Sequence, residues 1–311
     1  MFASYPVSWG QSNQPAGSRE PLTARHTRYM HALRWVAKRP TLRSPLAVVA
    51  LQGRSDSGQG ASSALADFRA GSGELAAVVN GDEFVDYTDH RPHIHTVDGS
   101  RIIEWPDTKI HVTAAKSSDR DLVIVEGVEP HFRWRRYAYL LGEVLAELDV
   151  GMVITLSSSI ADVPHTRPPT VVGSSSNTDL SAQLGLRADV EHGPATAVGT
   201  IHDELDARGI ESVSLRVAVP HYVAGSNNPA ASQALLERFE RITGVQTDWA
   251  DYRVDVEAWR ADVSEAVNED PDVVDYVAAL EAAFDEAAAS TAPDGEDLAA
   301  DFQRFLRQQG H

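Results

Sequence analysis

Three short apolar runs constrain the fold more than any other feature of this sequence. They span residues 46–51, 122–125 and 152–156, are rich in Val, Ile and Leu, and are each too short for a helix. An unbroken apolar run of this length is typical of a strand that is buried on both faces of a sheet. The segment 213–219, which alternates in part, is a fourth candidate strand.

Amphipathic segments separate these runs. Apolar residues recur at helical spacing over 134–148, and helices are also predicted at 61–68 and 200–208. Buried strands that alternate with amphipathic helices form βαβ units, whose strands are parallel. The sequence therefore predicts an α/β fold: a mixed, mainly parallel sheet with helices on both faces, in which 122–125 and 152–156 are near neighbours.

The pattern changes twice along the chain. Short alternating segments and the turn signal Asp98-Gly99 predict an antiparallel insert at 83–114, placed at the edge of the sheet. Its strands are predicted at 84–87, 93–97, 101–105 and 109–113. Helices are predicted at 28–38, 231–243, 254–267, 273–288 and 298–307. The predicted organisation is an irregular basic arm at 1–43, an α/β core at 44–247 and an acidic helical subdomain at 248–311.

Charge is distributed unevenly over the 311 residues. The net charge of −18 divides into +6 for residues 1–43, −11 for 44–247 and −13 for 248–311. An acidic surface repels phosphate backbones, so nucleic acid is not an expected partner. The absence of cysteine excludes disulfides, cysteine nucleophiles and cysteine-ligated metals. No apolar stretch is long enough for a transmembrane helix or a secretory signal, and we expect a cytoplasmic protein without membrane contact.

A glycine-rich loop at 53–63 joins the first strand to its helix. Such loops bind phosphate in some folds, but Gln59 and Gly60 stand where a phosphate loop requires Lys and Ser or Thr. A tight turn with Ser or Asp capping is therefore the favoured interpretation.

Polar side chains follow three of the predicted strands at their carboxyl ends, where ligands bind in open α/β sheets. We expect them to come together on one side of the sheet. The candidate binding-loop cluster is Glu126, Glu129, Asp162, His165, Arg167 and His221. This set suits acid–base chemistry or anion capture. The alternative is a hydrogen-bonded loop network in which Asp162 caps and Arg167 pairs with a glutamate, and the missing G-x-S-x-G pattern gives a serine hydrolase no support.

Histidines in the predicted insert raise the question of a metal site. His93 and His95 share one face of a strand, a spacing compatible with a divalent metal. No third ligand has a recognisable spacing, and His202 lacks the second histidine of an H-E-x-x-H motif. Neither a metal nor another cofactor is predicted.

Several motifs together resemble the proteasome assembly chaperone 2 family, in its actinobacterial branch. The main one is Ala-Asp-Val-Pro-His-Thr-Arg-Pro at 161–168, supported by Val-Glu-Gly-Val-Glu-Pro at 125–130 and Ala-Val-Pro-His-Tyr at 218–222. The segments 84–92, 104–106 and 298–307 are also similar to that family. The resemblance covers about residues 45–309.

The resemblance implies a phosphorylase/hydrolase-like α/β core with an added helical subdomain. It also implies a homo-oligomer, expected to be a trimer, whose eukaryotic and archaeal relatives assist assembly of the proteasome α-ring. Two hypotheses follow. The first is a non-catalytic protein-binding scaffold whose partners include proteasome α-subunits. The alternative is an enzyme that acts on a nucleoside, phosphate or carboxylate substrate at the loop cluster.

Overall fold

A nine-stranded sheet forms the centre of the computed structural model, which describes residues 32–36, 38–69, 73–115, 118–188 and 193–291. The strands are β1 (Leu33–Trp35), β2 (Leu46–Gln52), β3 (Glu74–Val79), β4 (His93–Val97), β5 (Ser100–Glu104), β6 (Thr108–Ala114), β7 (Asp121–Val128), β8 (Met152–Ala161), β9 (Val171–Ser175), β10 (Arg187–Ala188) and β11 (Glu211–Pro220). Their order is β1-β3-β6-β7-β2-β8-β11-β9-β10, while β4 and β5 form a separate ribbon.

The four predicted apolar strands form the parallel centre of this sheet. Val48 of β2 lies opposite Ile124 of β7 on one side and Ile154 of β8 on the other, and Ile154 lies opposite Val213 of β11. The runs at 122–125 and 152–156 are thus near neighbours, separated only by β2. Strands β1, β3, β6 and β9 join antiparallel to their inner neighbours. The predicted fold class is confirmed.

Helices cover both faces of the sheet. They are α1 (Gly60–Arg69), α2 (Trp134–Glu147), α3 (Thr178–Leu184), α4 (Ala197–Ala207), α5 (Pro229–Thr243), α6 (Arg253–Asn268) and α7 (Pro271–Thr291). On one face Val49 packs in a core with Leu141 of α2 and Leu205 of α4. On the other face Val48 packs in a core with Phe239 of α5. Because successive side chains of a strand point to opposite faces, β2 must be apolar at every position.

The strands of the segment 83–114 are antiparallel, but they do not all lie at one edge of the main sheet. Strands β4 and β5 pair only with each other, whereas β6 lies inside the main sheet between β3 and β7. Its alternate residues Ile110 and Val112 are buried in the core that contains α2, and this burial draws β6 inward. Residues 84–87 form a turn rather than a strand, since Phe84 packs edge-to-face against Tyr137.

The helices predicted nearest to the two ends of the chain, at 28–38 and 298–307, have different outcomes. The helix predicted at 28–38 is wrong in its described part, because β1 pairs there with β3 at the edge of the sheet. Edge pairing satisfies backbone groups that a short, isolated helix would leave to water. The helix predicted at 298–307 lies outside the described residues. None of the helices described is long and apolar enough to cross a membrane.

The double-sided core gives a stability prediction. Leu141 is fully buried against the sheet, so Leu141→Ala should lower the free energy of unfolding by about 2–5 kcal/mol through lost burial and a residual cavity. Val254, which is 66% exposed on α6, supplies the control: Val254→Ala should change it by less than about 0.5 kcal/mol. Urea unfolding followed by tryptophan fluorescence measures both variants. Equal effects would contradict this description of the core.

Candidate functional site

The glycine-rich loop after β2 is organised by one buried carboxylate. Asp56 Oδ1 accepts hydrogen bonds from the backbone N–H groups of Ala61 (2.9 Å) and Ser62 (3.0 Å) in the first turn of α1. Burial raises the pKa of Asp56, and these hydrogen bonds oppose the rise. The anion-binding end of α1 is therefore occupied by the chain's own side chain. The turn is capped by an aspartate, which is one of the two residue types predicted for this role.

Glu126 is held in a network on the carboxyl-terminal half of β7. Its Oε1 lies 2.6 Å from Arg69 Nη1 of α1 and 3.2 Å from His111 Nε2 of β6. Burial alone would raise the pKa of Glu126, but the His111 hydrogen bond and the charge of Arg69 outweigh it and lower the pKa. A carboxylate that is kept ionised by two internal partners is poorly suited to donate a proton as a general acid.

Glu129 supports the same loop. Its Oε2 accepts from the backbone N–H (3.2 Å) and the hydroxyl (3.3 Å) of Ser55. Gly53, whose φ is +144°, lets the backbone pass beside this side chain, since a Cβ at Gly53 would lie 3.0 Å from Glu129 Cβ. Glu129 therefore ties the loop after β7 to the loop after β2.

His165 lies at the centre of a second network, formed by the loop after β8. The residue is 3% exposed, with Nδ1 2.8 Å from the Tyr222 hydroxyl and Nε2 2.9 Å from Ser264 Oγ of α6. Tyr222 also accepts from the backbone N–H of His165 at 2.8 Å. Burial lowers the pKa of His165; Glu281 opposes this shift and Arg260 adds to it. The neutral ring thus joins the core to α6.

Arg167 joins the same loop to α7. Its Nε and Nη2 donate to the two carboxylate oxygens of Asp285 at 2.9 and 2.8 Å, and its Nη1 lies 3.3 Å from Glu281. The adjacent Thr166 donates to Glu281. The hydrogen bond and charge of Arg167 lower the pKa of Asp285. A guanidinium engaged by two carboxylates of its own chain is not free to capture an anionic ligand.

The last two predicted residues lie beside this network. His221 Nδ1 is 3.4 Å from Asp162 Oδ1, and the Asp162 side chain is 84% exposed. The His221 ring contacts Tyr276 of α7 edge-on, with centroids 5.6 Å apart. Asp162 therefore contacts His221 at the surface of the protein.

The six predicted residues thus form two networks rather than one shared site. Glu126 and Glu129 line a large cleft, whereas Asp162, His165, Arg167 and His221 do not line it and meet α6 and α7 or each other. Both networks follow parallel strands, so both lie at the carboxyl edge of the sheet. In the described residues, no hydrogen bond or ion pair links one network to the other. The sequence-based expectation of a single cluster did not include this division.

A large cleft opens at the carboxyl edge of the sheet in the described part of the chain. Its volume is about 3280 Å³, and its walls come from the loops after β2 and β7, the β4–β5 ribbon, and the helices α4 and α6. Pockets for small molecules measure about 300–1,000 Å³. A concavity several times larger suits a segment of a macromolecule better than a single metabolite.

Two polar groups in the cleft were not among the six predicted site residues. His202 of α4 lies between two hydroxyls, with Nε2 2.9 Å from Thr155 and Nδ1 3.2 Å from Ser212. His131 lies 2.9 Å from Asp89, a residue 42 positions earlier, and this long-range contact leaves no local pattern in the sequence. His131 stands directly after the motif at 125–130, which is the only signal that pointed to it.

Asp89, His90 and His131 bring three ligand atoms within 4.8 Å of one another. The hydrogen bonds of His131, however, do not fit a metal. Its Nδ1 accepts from the backbone N–H of Asp86 at 3.2 Å, so the neutral ring carries its proton on Nε2, which faces Asp89. A metal-bound histidine instead donates its outer N–H to an acceptor. The group is best described as a His131–Asp89 hydrogen bond, with His90 Nδ1 3.2 Å from the same carboxylate oxygen.

The buried His165 makes stability depend on pH. Because its folded pKa is lowered, the unfolded state takes up a proton first as the pH falls below the ordinary histidine value of about 6.5. The stabilising contribution is therefore complete above that pH and is lost as the pH falls through the folded pKa.

We expect the melting temperature to fall between about pH 7.5 and about pH 5.5, and His165→Gln to reduce this slope. His93→Gln, at an exposed strand position, is the matched control and should leave the slope unchanged. Differential scanning fluorimetry over this pH series measures both variants. An unchanged slope in His165→Gln would contradict the assignment.

A family model and several solved structures are similar to this chain. The PAC2 family model matches residues 47–267. The crystal structure of a PAC2 family protein from Streptomyces avermitilis is 35% identical, with a TM-score of 0.70 over 75% of this chain and 99% of that one. The Mycobacterium tuberculosis proteasome-assembly chaperone homologue is also 35% identical, with a TM-score of 0.68 over 75% and 99%.

More distant structures share the fold. The archaeal proteasome activator PbaB from Pyrococcus furiosus is 15% identical, with a TM-score of 0.59 over 75% of this chain and 97% of that one. No curated protein shows a significant match. The family model covers most of the chain, including the loops after β7, β8 and β11, and the resemblance drawn from those motifs is confirmed. The chain belongs to the PAC2 family.

Proposed function

We propose that this protein is a proteasome-assembly-chaperone-like scaffold that binds proteasome α-subunits and carries out no reaction. The observation that carries the proposal is that the motif residues are engaged within the chain. Glu126 is bound by Arg69 and His111, and Arg167 by Asp285 and Glu281. Catalytic groups need free access to a substrate, whereas residues of this kind fix the positions of loops and helices around a surface.

Exposed aromatic side chains at the cleft support a protein partner. Phe132 is 51% exposed and Trp105 is 41% exposed, and both line the cleft. Large apolar side chains left in water at the rim of a concave surface are typical of protein-binding sites, and aromatic residues dominate the binding energy of such interfaces. The similar structure from Mycobacterium tuberculosis is described as a proteasome-assembly chaperone homologue, which agrees with this partner class.

The client is tested by direct binding. Full-length protein, mixed with purified proteasome α-subunits of Mycobacterium tuberculosis, should form a complex that elutes together in size-exclusion chromatography. Phe132→Ala should weaken this complex at least about tenfold, because an exposed aromatic side chain that the partner would cover is lost. Tyr139→Ala is the control, since Tyr139 is 49% exposed on α2 and does not line the cleft.

Two results would contradict the proposal. One is no complex with the α-subunits. The other is hydrolysis or phosphorolysis of a nucleoside or phosphate ester that Asp162→Ala abolishes, which would favour the enzyme hypothesis instead.

We further propose that the protein forms a homotrimer through the β4–β5 ribbon. A two-stranded ribbon is marginally stable in water by itself, and this one exposes apolar residues on both faces. Ile94 (57% exposed) and Ile103 (43%) pair across one face, and Ile102 (47%) lies on the other. A second copy of the chain that covers these residues would stabilise the ribbon.

Native mass spectrometry at micromolar protein should therefore show a trimer. Ile94→Ser combined with Ile103→Ser should shift it to monomer, because the cross-strand apolar pair is lost. Ile160→Ser, at a residue that is 59% exposed on β8, is the control and should leave the trimer intact. A wild-type protein that stays monomeric would contradict this proposal.

A further inference from the structure

The cleft carries far more acidic than basic side chains. Thirteen Asp and Glu residues line it against five Arg and Lys, a difference of eight negative charges when the histidines are neutral. Some of these acids have internal partners: Glu126 pairs with Arg69, Glu104 lies 2.7 Å from Lys109, and Asp56 caps α1. Because these acids are engaged by internal partners, they add little to the electrostatic attraction that a ligand experiences.

Five exposed carboxylates on two walls are different, because none forms an ion pair with a described residue. They are Asp203 and Asp206 of α4, Asp251 just before α6, and Asp255 and Asp262 of α6. Asp255 and Asp262 are seven positions apart, which places them two turns apart on one helix face. Unpaired charges of one sign within a concavity strengthen each other's potential and attract the opposite charge.

Aromatic residues lie between these carboxylates. Trp259 lies on the same cleft-facing side of α6 as Asp255 and Asp262, and Tyr252 precedes the helix. The Nε1–H of Trp259 is buried and has no hydrogen-bond partner. Indole rings beside carboxylates suit arginine, whose guanidinium stacks on aromatic faces while it donates to carboxylate oxygens.

Volume, charge and lining together indicate the occupant. The cleft is several times larger than a typical small-molecule pocket, the unpaired groups on its α4 and α6 walls are anionic, and aromatic residues lie among them. Phosphate-bearing ligands are repelled by this charge. A polypeptide segment rich in Arg and Lys matches all three properties.

We propose that the cleft binds an arginine- and lysine-rich segment of the partner protein, held by the unpaired carboxylates of α4 and α6. The inference rests on the proposed function, since it names the chemistry of the partner at that surface. It assigns a binding role to α6 in addition to its docking on His165. The acidic charge of this helix is then part of the recognition surface.

The test uses full-length protein and two fluorescent peptides, one alternating Arg and Gly and one alternating Glu and Gly. Fluorescence anisotropy at about 50 mM salt should show binding of the Arg peptide alone, weakened at about 300 mM salt by screening. Asp255→Asn combined with Asp262→Asn should lower its affinity about tenfold. The matched control is Glu265→Gln combined with Glu269→Gln, which removes the same charge from acids that do not line the cleft.

The control pair should change the affinity by less than about twofold, since distant charges act only through a screened field. Equal losses in the two pairs, or no binding of the Arg peptide, would overturn the inference. The proposed function fails separately: capture of α-subunits without Arg-peptide binding removes only this inference. The Arg peptide could instead bind in a way that depends on Asp255 and Asp262 while no α-subunits are captured. In that case only the proposal that α-subunits are the client fails.

Discussion

Parallel pairing of four apolar strands is the constraint on which the rest of the structure depends. Strands β7, β2, β8 and β11 run in the same direction, so their carboxyl ends meet at one edge of the sheet. Their side chains fill two cores, which fixes helices on both faces. Every loop that carries a motif residue leaves the sheet at that edge. The parallel arrangement of the strands therefore brings the polar groups to one region of the molecule.

The polar residues at that edge form two networks, and each network holds a different part of the structure in place. One network, through Asp56, Glu126 and Glu129, ties together the loops that form the floor of the cleft. The other, through His165 and Arg167, holds α6 and α7 against the sheet. Since α6 also lines the cleft, the second network sets the position of one of its walls. The two networks together explain how motif residues can shape a binding surface without facing a ligand.

The tertiary structure shows where part of the acidic charge of the molecule lies. The segment 248–311 has a net charge of −13. The structure places part of that charge along the cleft, on the face of α6 that also carries Trp259. Charge at a concave surface steers the encounter of oppositely charged partners and disfavours like-charged ones. Composition alone gives the sign of the net charge, but it does not show which surface carries that charge.

The sequence by itself determined the fold class, the four central strands, most of the helices around them, a capped turn after β2 and the family, because these follow from local periodicity and contiguous motifs. It did not determine that β6 enters the main sheet, that 33–35 forms an edge strand, or that the six polar residues divide into two networks. Those outcomes depend on partners distant in the chain: Arg167 meets Asp285 across 118 positions, and His131 meets Asp89 across 42. Only tertiary packing decides such contacts, because a side chain's partner is selected by proximity in space, and no local pattern records it.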